Sequence, residues 1–434
     1  MSNSNMQVPR SAKGLKFVVL GGGMVGVCVA LEMQKRGAEV ILLDRDDPGG
    51  GTSYGNAGVF ARSSLFPINN PGLLVDLPGL LTNTRAAFRY DLKYLLSNLA
   101  WASRFLLSAR KKTFQETTVA LDALIRLSIR KHLELIDACN ESARLSDAGW
   151  MFLYRDIGRY ERAGLLRTTL GNFDVDTQEL DGTALHDLEP DLAPIFPRAL
   201  WVRDSYSVND PAALVKAYAA KFTAQGGKVL RSDVRTVSED LDGVEIVLAD
   251  GSLLKADKIA VCLGPWSKDF LAKLKMSVTM GFERGYHMHF EGAQDGANAK
   301  ILRRPIYDTQ GGYVLSPMTK GLRLSTGVEL AACDAPGSTA QIDLAEKAAR
   351  EAFTLGERMD PEPWLGRRPT FPDSRPAIGP APTYRHISVA FGHQHIGLAT
   401  GTGTADVLAD LIEGKTPAID ALPFRPDRFI RHFG

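Results

Sequence analysis

The chain has 434 residues, and its 51 Lys and Arg are balanced by 50 Asp and Glu, so the formal net charge is +1. This balance argues against a nucleic-acid-binding surface, and the length favours two domains over a single core. The four cysteines form no C-x-x-C pair, which argues against a zinc ribbon or a thioredoxin-like motif, and no metal site is predicted. Scattered thiols are typical of a reducing cytoplasm, which is the predicted location.

The sequence predicts no transmembrane helix, because it has no uncharged apolar stretch of roughly 18 residues. Polar residues 1–13 are expected to form a disordered tail. The leucine-rich segment 71–112 predicts helices and ends in Arg110, Lys111 and Lys112. These helices are expected to be core elements of a second domain. The alternative is a peripheral contact of their apolar surface with the inner face of the cell membrane, with the basic residues at its edge.

The first elements in chain order form a strand, a loop, a helix and a second strand. The apolar run 15–20 predicts a buried strand, the helical pattern over 25–36 has no proline, and a second strand is predicted over 38–44. The glycine-dense stretch 49–58 follows directly and predicts a loop that approaches a ligand, with a plain surface linker as the alternative. Together the first three elements make one βαβ unit.

The loop of this βαβ unit has the G-x-G-x-x-G spacing of a dinucleotide-binding turn. Gly21 permits the tight turn, Gly23 lets the backbone approach a pyrophosphate, and Gly26 lets the helix pack closely on the strand. The helix N-terminus, at Met24 and Val25, offers free N–H groups and a partial positive charge to phosphates. The alternative is a glycine-rich turn that binds nothing.

Asp44 ends the second strand, where it would accept hydrogen bonds from ribose hydroxyls. An acid at this place argues against a 2′-phosphate on the ligand, although Arg45 is adjacent. The loop and the acid together predict a dinucleotide without a 2′-phosphate.

Farther along the chain, helices alternate with short strands, and Asp210 is the predicted N-cap of a helix that begins at Pro211. The remaining predicted helices span residues 118–138, 211–222, 342–353 and 402–412. The remaining predicted strands span residues 149–155, 228–230, 234–237, 244–248, 253–254, 258–264, 282–290, 312–317, 322–328 and 386–390.

This order predicts a fold of the α/β and α+β classes, in which a discontinuous Rossmann-like nucleotide-binding domain carries an inserted mixed-sheet substrate domain. The nucleotide-binding domain is predicted over residues 15–70, 205–280 and 362–427, and the substrate domain over residues 71–204 and 281–361.

Several motifs, well separated along the chain, resemble one family between about residues 14 and 427. They are the loop 21–26 with Asp44, and the segments 52–58, 262–267, 284–287, 364–369, 372–379 and 392–397. These motifs are similar to those of the FAD-dependent amino-acid oxidoreductases of the D-amino acid oxidase, glycine oxidase and D-amino acid dehydrogenase superfamily. The segments 52–58 and 392–397 look most like the bacterial D-amino acid dehydrogenase branch, including its hydroxyproline-type members.

The resemblance implies FAD as the cofactor and a catabolic role in amino-acid oxidation. It also implies that the final helix, predicted to start near Thr402, aims its N-terminus at the pyrimidine end of the flavin. The residues implied to bind FAD are Gly21, Gly23, Met24, Val25, Gly26, Asp44, Arg45, Thr52, Ser53, Asn56, Ala57, Gly58, Val234, Gly264, Trp266, His393, Gly397 and Leu398.

For the substrate, the resemblance places Arg368 at the arginine that binds the carboxylate, a task that suits its planar fork. Arg367 is adjacent, so the assignment could slip by one residue. His395 is predicted to hold the substrate amine or to accept its proton, because histidine titrates near neutral pH. Tyr286 and His287 are adjacent on one predicted strand, so only one of their side chains points towards the substrate. Tyr286 is favoured as the side chain that does so.

The reaction implied is hydride transfer from the α-carbon of a D-amino acid, including the proline and hydroxyproline types, to flavin N5. An FAD-dependent oxidase of a secondary amine such as sarcosine, of glycine or of an opine is the alternative. The electron acceptor is either oxygen or a quinone. An NAD-dependent dehydrogenase is a further alternative for the opening motif, as is a binding protein without catalysis.

Overall fold

The computed structural model describes residues 11–73, 79, 82–292 and 300–433. The strands within these ranges are β1 (Lys16–Leu20), β2 (Glu39–Asp44), β3 (Val59–Phe60), β4 (Phe88–Tyr90), β5 (Leu145–Ser146), β6 (Trp150–Tyr154), β7 (Thr177–Asp181), β8 (Arg198–Val202), β9 (Tyr206–Val208), β10 (Lys228–Arg231), β11 (Val234–Glu239), β12 (Val244–Leu248), β13 (Leu253–Ala256), β14 (Lys258–Val261), β15 (Met276–Val278), β16 (Gly281–Phe290), β17 (Ile306–Asp308), β18 (Tyr313–Met318), β19 (Gly321–Thr326), β20 (Val328–Leu330), β21 (Trp364–Thr370), β22 (Ala377–Pro380), β23 (Ile387–Phe391) and β24 (Ile430–His432).

The α-helices in the same ranges are α1 (Met24–Lys35), α2 (Leu92–Ser97), α3 (Leu99–Ser108), α4 (Lys111–Ala138), α5 (Ile157–Arg162), α6 (Gly164–Asn172), α7 (Gly182–Leu188), α8 (Pro211–Ala224), α9 (Ser267–Lys273), α10 (Ala340–Ala352) and α11 (Gly397–Glu413).

The first sheet has the order β10-β2-β1-β14-β23-β22, and its strands are parallel except for β22. Its two faces are buried by different layers, because successive side chains of a strand point to opposite sides. Phe17 and Val19 of β1 pack in one core with helices α1, α4, α8 and α11. Val18 and Leu20 pack in a second core with the antiparallel sheet β11-β12-β13.

The second sheet has the order β4-β20-β16-β19-β18-β17-β6-β8-β7, and β21 pairs with β16 beside it. Apolar side chains on one of its faces, such as Met151, Met288 and Leu324, form a core with Ile342 and Ala345 of helix α10. The opposite face is turned towards the first sheet, so the space between the two sheets is the natural place for a ligand.

The predicted βαβ unit is confirmed, with β1, α1 and β2 within one residue of the expected bounds at each end. The predicted cap is confirmed as well, because the Asp210 carboxylate accepts a hydrogen bond from the N–H of Ala213 at 2.9 Å, with Pro211 in the first turn of α8. The combination of an α/β layer and a mixed sheet confirms the predicted fold class.

Two elements pack with the sheet or helices of a different predicted domain from the one in whose residue range they fall. Helix α4 falls in the range assigned to the substrate domain, but it packs on α11, because Leu121 and Leu124 share one core with Val407 and Leu408. Strand β21 falls in the range assigned to the nucleotide-binding domain, but it extends the second sheet through its pairing with β16.

The last helix begins five residues before the predicted start. Helix α11 starts at Gly397, and its glycines allow a close approach of neighbouring helices: a Cβ at Gly401 would lie 2.9 Å from Cγ of Met24, and one at Gly403 would overlap Oγ of Ser128. Glycine has a low intrinsic helix propensity, and tertiary packing overrides it here.

The predicted disordered tail lies outside the described residues over 1–10, whereas Ala12 is buried and its N–H donates to the Glu413 carboxylate at 3.0 Å. The leucine-rich segment likewise lies outside them at 74–78, 80 and 81. In the rest of that segment Trp101 and Phe105 are core residues. No helix of the described residues is long and apolar enough to cross a membrane.

Candidate active site

A cavity of about 940 Å³ runs between the two sheets, from the glycine loop after β1 to the side chains of Arg368 and His395. The carboxyl ends of the parallel strands β1, β2 and β14 open onto it, which is where ligands bind in open α/β sheets. Most of the predicted site residues line it: Gly21, Gly23, Met24, Val25, Asp44, Arg45, Thr52, Ser53, Asn56, Ala57, Val234, Gly264, Trp266, Arg368, His393, His395, Gly397 and Leu398.

The three glycines of the first loop have three different roles. Gly21 has φ +111°, and a Cβ there would lie 2.5 Å from the carbonyl oxygen of Cys262. A Cβ at Gly26 would overlap the carbonyl oxygen of Gly21, so this glycine serves helix packing and does not line the cavity. A Cβ at Gly23 would meet only Oγ of Ser53, at 3.6 Å. Gly23 therefore faces the cavity, as a pyrophosphate-binding glycine must.

Polar groups surround the N-terminus of α1. The N–H of Met24 donates to Oγ of Ser53 at 3.0 Å, and the N–H of Gly22 donates to the Asp44 carboxylate at 2.5 Å. The guanidinium of Arg45 lies 4.3 Å from the ring centre of Trp266, so a cation and an aromatic ring close this end of the cavity together. These groups fit the phosphates and the ribose of a dinucleotide.

The loop 52–58, called the flavin loop below, is tied to the segment 392–397. Nδ2 of Asn56 donates to the carbonyl oxygen of His395 at 3.1 Å, and Oδ1 of the same side chain accepts from the N–H of Gly58 at 2.9 Å. Oγ1 of Thr52 donates to the carbonyl oxygen of Arg367 at 3.1 Å. Gly58 itself does not line the cavity; its φ of +78° makes the turn into β3.

A buried arginine that the sequence did not single out supports the flavin loop from behind. Nη1 of Arg323 donates to the carbonyl oxygens of Tyr54 at 2.9 Å and Asn56 at 2.5 Å, and Nε donates to Nε2 of His289 at 3.1 Å. Nδ1 of His289 is 2.7 Å from the Asp360 carboxylate. Burial lowers the pKa of Arg323 to about 10, which leaves it charged at neutral pH.

The Arg368 side chain lies on the cavity side of β21. A Cβ at Gly285 would overlap the Arg368 guanidinium, so this glycine makes room for it. Among the described residues, the guanidinium donates one hydrogen bond, from Nη1 to the carbonyl oxygen of Gly327 at 3.2 Å. Burial lowers the pKa of Arg368, and the charge of Glu283 opposes that shift. A half-buried guanidinium with this few protein partners is suited to binding a carboxylate.

Arg367 is directed away from this place. Its Nε donates to the carbonyl oxygen of Cys333 at 2.8 Å, and it does not line the cavity. Adjacent residues of a strand point to opposite faces, which separates the two arginines. The structure therefore favours Arg368 over Arg367 as the carboxylate ligand.

Glu283 stands directly opposite Arg368 in the register of β16 and β21. It is buried, and burial raises its pKa to about 7, against the opposing charge of Arg368. No motif singled out Glu283, and only its strand partner reveals it.

The two histidines of the segment 392–397 differ in their surroundings. His393 is buried, with Nε2 3.0 Å from Oγ1 of Thr404 on α11, and burial lowers its pKa to about 3. His395 is half-buried and borders the cavity, and burial and the charge of Arg368 lower its pKa to about 4. Both rings are therefore neutral at pH 7.

The prediction that Tyr286 faces the substrate is wrong. Tyr286 belongs to the core beneath α10 and does not line the cavity. Its hydroxyl donates to Glu329 at 2.7 Å and accepts from Nη2 of Arg284 at 3.0 Å. The other face of β16 carries His287, which does not line the cavity either; its ring centroid lies 5.5 Å from that of Tyr54 in the flavin loop and 4.9 Å from that of Trp364.

Comparison with known proteins agrees with this geometry. The family described as DAO, FAD dependent oxidoreductase, matches residues 16–411. A D-amino-acid oxidase of Bradyrhizobium diazoefficiens is 29% identical over 96% of this chain and 100% of its own length. D-amino acid dehydrogenase 2 of Ralstonia nicotianae is 26% identical over 94% of this chain and 99% of its own.

Solved structures show the same fold. Glycine oxidase from Geobacillus kaustophilus has a TM-score of 0.74 at 19% identity and covers 97% of this chain and 100% of its own. L-proline dehydrogenase from P. horikoshii has a TM-score of 0.69 at 18% identity and covers 96% of this chain and 98% of its own. The family match spans the glycine loop, the flavin loop and Arg368 alike. The chain therefore belongs to the DAO family of FAD-dependent oxidoreductases, and FAD is its cofactor.

Proposed function

We propose that this protein oxidises a D-amino acid at the bond between its α-carbon and its nitrogen. The observation that carries the proposal is the position of Arg368, a half-buried side chain whose guanidinium borders the cavity and has one protein hydrogen bond among the described residues. A bidentate pair with a carboxylate would use its other donors. FAD, when bound, accepts the hydride that leaves the α-carbon.

The protein's own part in this reaction is to bind and orient the substrate. Arg368 fixes the carboxylate, and His395 lies close enough to Arg368 for the charge of that arginine to lower the pKa of the histidine. With a pKa of about 4, His395 is neutral at pH 7 and accepts a hydrogen bond from the amine, but it retains a proton poorly. We infer that His395 orients the amine and that the proton passes on to water.

The D-configuration is supported by the names of the relatives that match over nearly the whole chain, a D-amino-acid oxidase and D-amino acid dehydrogenases. The solved structures of similar fold include enzymes named for glycine, L-proline and iminodiacetate. At this level of identity they support the fold and leave the substrate to be tested.

The test is anaerobic bleaching of the flavin across a panel of amines. The panel holds the D- and L-forms of the common amino acids, D-proline and D-hydroxyproline, sarcosine, glycine and an opine. We expect bleaching by D-amino acids and none by the L-forms. Bleaching confined to sarcosine, glycine or the opine would replace this proposal with the alternative, an oxidase of a secondary amine, of glycine or of an opine. Failure of every amine would contradict catalysis on amines.

We further propose that the reduced enzyme passes its electrons to a quinone at a membrane surface. The support is an apolar face on α2 and α3, where Leu92, Leu96 and Leu99 are 62%, 59% and 60% exposed. Exposed Lys93 lies on the same helix, and exposed Lys111 begins the helix that follows. Such a face suits an anionic lipid surface.

Two measurements test this second proposal. Readmitting oxygen, or adding a soluble quinone, to the bleached enzyme shows which acceptor restores the oxidised flavin faster; oxygen would indicate an oxidase. Sedimentation with anionic phospholipid vesicles should retain the wild type and lose a Leu96→Glu, Leu99→Glu variant. Leu253→Glu, at a leucine that is 60% exposed on β13, is the matched control. Equal binding of all three proteins would contradict the membrane contact.

A further inference from the structure

Aromatic side chains form one wall of the cavity, at the end where the second sheet closes it. Trp150 and Phe152 alternate along β6, so they point to the same face of the sheet, and Tyr307 stands opposite Phe152 in the parallel pairing of β6 with β17. All three line the cavity and are half-buried. These three residues are called the aromatic wall below.

The aromatic wall is held by contacts within the protein. The ring centroids of Trp150 and Phe152 are 4.6 Å apart, and those of Phe152 and Tyr307 are 5.8 Å apart in an edge-to-face arrangement. Nε1 of Trp150 donates to Oγ of Ser63 at 3.1 Å. The wall is therefore preorganised, which reduces the entropy cost of binding an apolar group against it.

The register of the sheet relates this wall to the place of Arg368. Tyr307 pairs with Val314 on β18, which pairs with Ser325 on β19. Two residues beyond Ser325 lies Gly327, whose carbonyl oxygen accepts the hydrogen bond from Arg368. Two strand spacings, roughly 10 Å, thus separate β17, which carries Tyr307, from β19, and Gly327 directly follows β19.

Val314 and Ser325 border the cavity on the sheet between these points, and Phe66 and Leu166 border it from other elements. Two cations that follow β6 also border it: Arg159 donates from Nη2 to the carbonyl oxygen of Thr309 at 2.7 Å, and Arg162 lies 4.0 Å from the Asp156 carboxylate. A substrate carboxylate at Arg368 would therefore direct its side chain over Val314 towards the aromatic wall.

We propose that the substrate carries an aromatic or similarly bulky apolar side chain, which packs against Trp150, Phe152 and Tyr307. This inference rests on the proposed amino-acid oxidation and names the substrate class of the same site. Edge-to-face contacts and the burial of a ring favour such a side chain. The side chain of alanine is too short to reach the wall, and a charged side chain would lose its hydration against it.

The first experiment measures binding without turnover. Propionate and 3-phenylpropionate are titrated into the oxidised holoenzyme, and the change in the flavin absorption spectrum reports each dissociation constant. We expect 3-phenylpropionate to bind at least about tenfold more tightly. Phe152→Ala should reduce this preference to about threefold or less. Phe88→Ala, at a partly buried ring in the same sheet that does not line the cavity, should preserve it.

The second experiment compares the anaerobic reduction of the flavin by D-phenylalanine and D-alanine. We expect D-phenylalanine to have the higher second-order rate constant in the wild type, and Tyr307→Ala and Phe152→Ala to reverse or abolish the difference. Equal binding of the two carboxylates, or a preference that survives both variants, would overturn the inference. If D-alanine bleaches the flavin while D-phenylalanine does not, only the side-chain class is wrong. If neither carboxylate binds and no amine bleaches the flavin, the proposed function itself fails.

Discussion

At the scale of single residues, the candidate site depends on two opposite charges on neighbouring strands. Arg368 and Glu283 face each other on β21 and β16, and the structure gives them no direct hydrogen bond. Glu283 is buried and Arg368 is half-buried, and each opposes the shift that burial imposes on the pKa of the other. Such a pair leaves the donors of Arg368 free for a third partner, so substrate carboxylate and Glu283 compete for the same charge.

The first prediction concerns the arginine itself. Arg368→Met should weaken binding of a carboxylate such as propionate by about 100-fold or more, because it removes a charge-assisted bidentate pair in a desolvated place. Spectral titration of the loaded enzyme measures this effect. Arg367→Met serves as the control, since Arg367 bonds to the carbonyl oxygen of Cys333. A larger loss in the control would move the carboxylate site to Arg367.

The second prediction concerns pH. The pKa of Glu283 is raised to about 7, so below that pH Glu283 is neutral and the charge of Arg368 is uncompensated. Above it, the ionised Glu283 offsets that charge. Propionate affinity should therefore fall several-fold as pH rises from 6 to 8. Glu283→Gln should flatten this dependence. An affinity that rises with pH, or a profile that is unchanged in the variant, would contradict the role of Glu283.

At the scale of elements, the β16 strand shows what the sequence could and could not predict. The alternation of its side chains was predictable, because period-two geometry is local. Which face of β16 points inward was not predictable, because it depends on helix α10. This helix comes from a distant part of the chain and covers the opposite face of the strand. Tyr286 therefore joins the core beneath α10, and its neighbour His287 faces the flavin loop.

Helix α11 shows a second limit of the same kind. The sequence predicted its start five residues too late, and it did not reveal that Gly403 is needed where α11 crosses α4. Oγ of Ser128 on α4 hydrogen-bonds with Thr400 O at 3.3 Å and with the N–H of Gly403 at 3.2 Å. By contrast, β1, α1 and β2 were predictable because their loop, helix and acid lie within one short segment.

The third prediction tests this crossing. A Cβ at Gly403 would overlap Oγ of Ser128 and lie 3.1 Å from the carbonyl oxygen of Leu124. Gly403→Ala should therefore destabilise the protein by about 2 kcal/mol through overpacking. Gly171→Ala, in an exposed part of α6 with nothing within 4 Å of the new Cβ, should stabilise by about 0.5 kcal/mol. Thermal or denaturant unfolding measures both, and equal effects would contradict the packing account.

The fourth prediction concerns the support of the flavin loop. Arg323→Met removes the hydrogen bonds to the carbonyl oxygens of Tyr54 and Asn56, so the loop should lose order and FAD should bind about tenfold more weakly. Quenching of flavin fluorescence on binding gives the dissociation constant. Arg350→Met, which breaks an ion pair with Glu346 at the surface of α10, is the control. Unchanged FAD affinity in Arg323→Met would show that the loop is held by other contacts.

At the scale of the whole molecule, the cavity lies between two sheets, and the strands of each sheet come from separate segments of the chain. The glycine loop belongs to the first sheet, and Arg368 belongs to β21 of the second. Their motifs were recognisable one by one. Their juxtaposition was not, because β21 lies in the second sheet although its neighbours in sequence, β22 and β23, lie in the first. A ligand that fills this cavity touches both sheets, so its binding energy contributes to their association.

The fifth prediction follows from that arrangement. FAD binds the folded protein, so FAD at 100 times its dissociation constant should add about 2.7 kcal/mol to the stability of the apoprotein and raise its melting temperature.

Gly23→Val should abolish this increase. It should also leave the melting temperature of the apoprotein nearly unchanged, because a Cβ at Gly23 faces the cavity and meets only Oγ of Ser53 at 3.6 Å. Gly26→Val should instead destabilise the apoprotein, since its Cβ would overlap the carbonyl oxygen of Gly21. Calorimetry of the three proteins with and without FAD separates the two roles. If Gly23→Val keeps the full FAD-dependent increase, the pyrophosphate does not lie against Gly23.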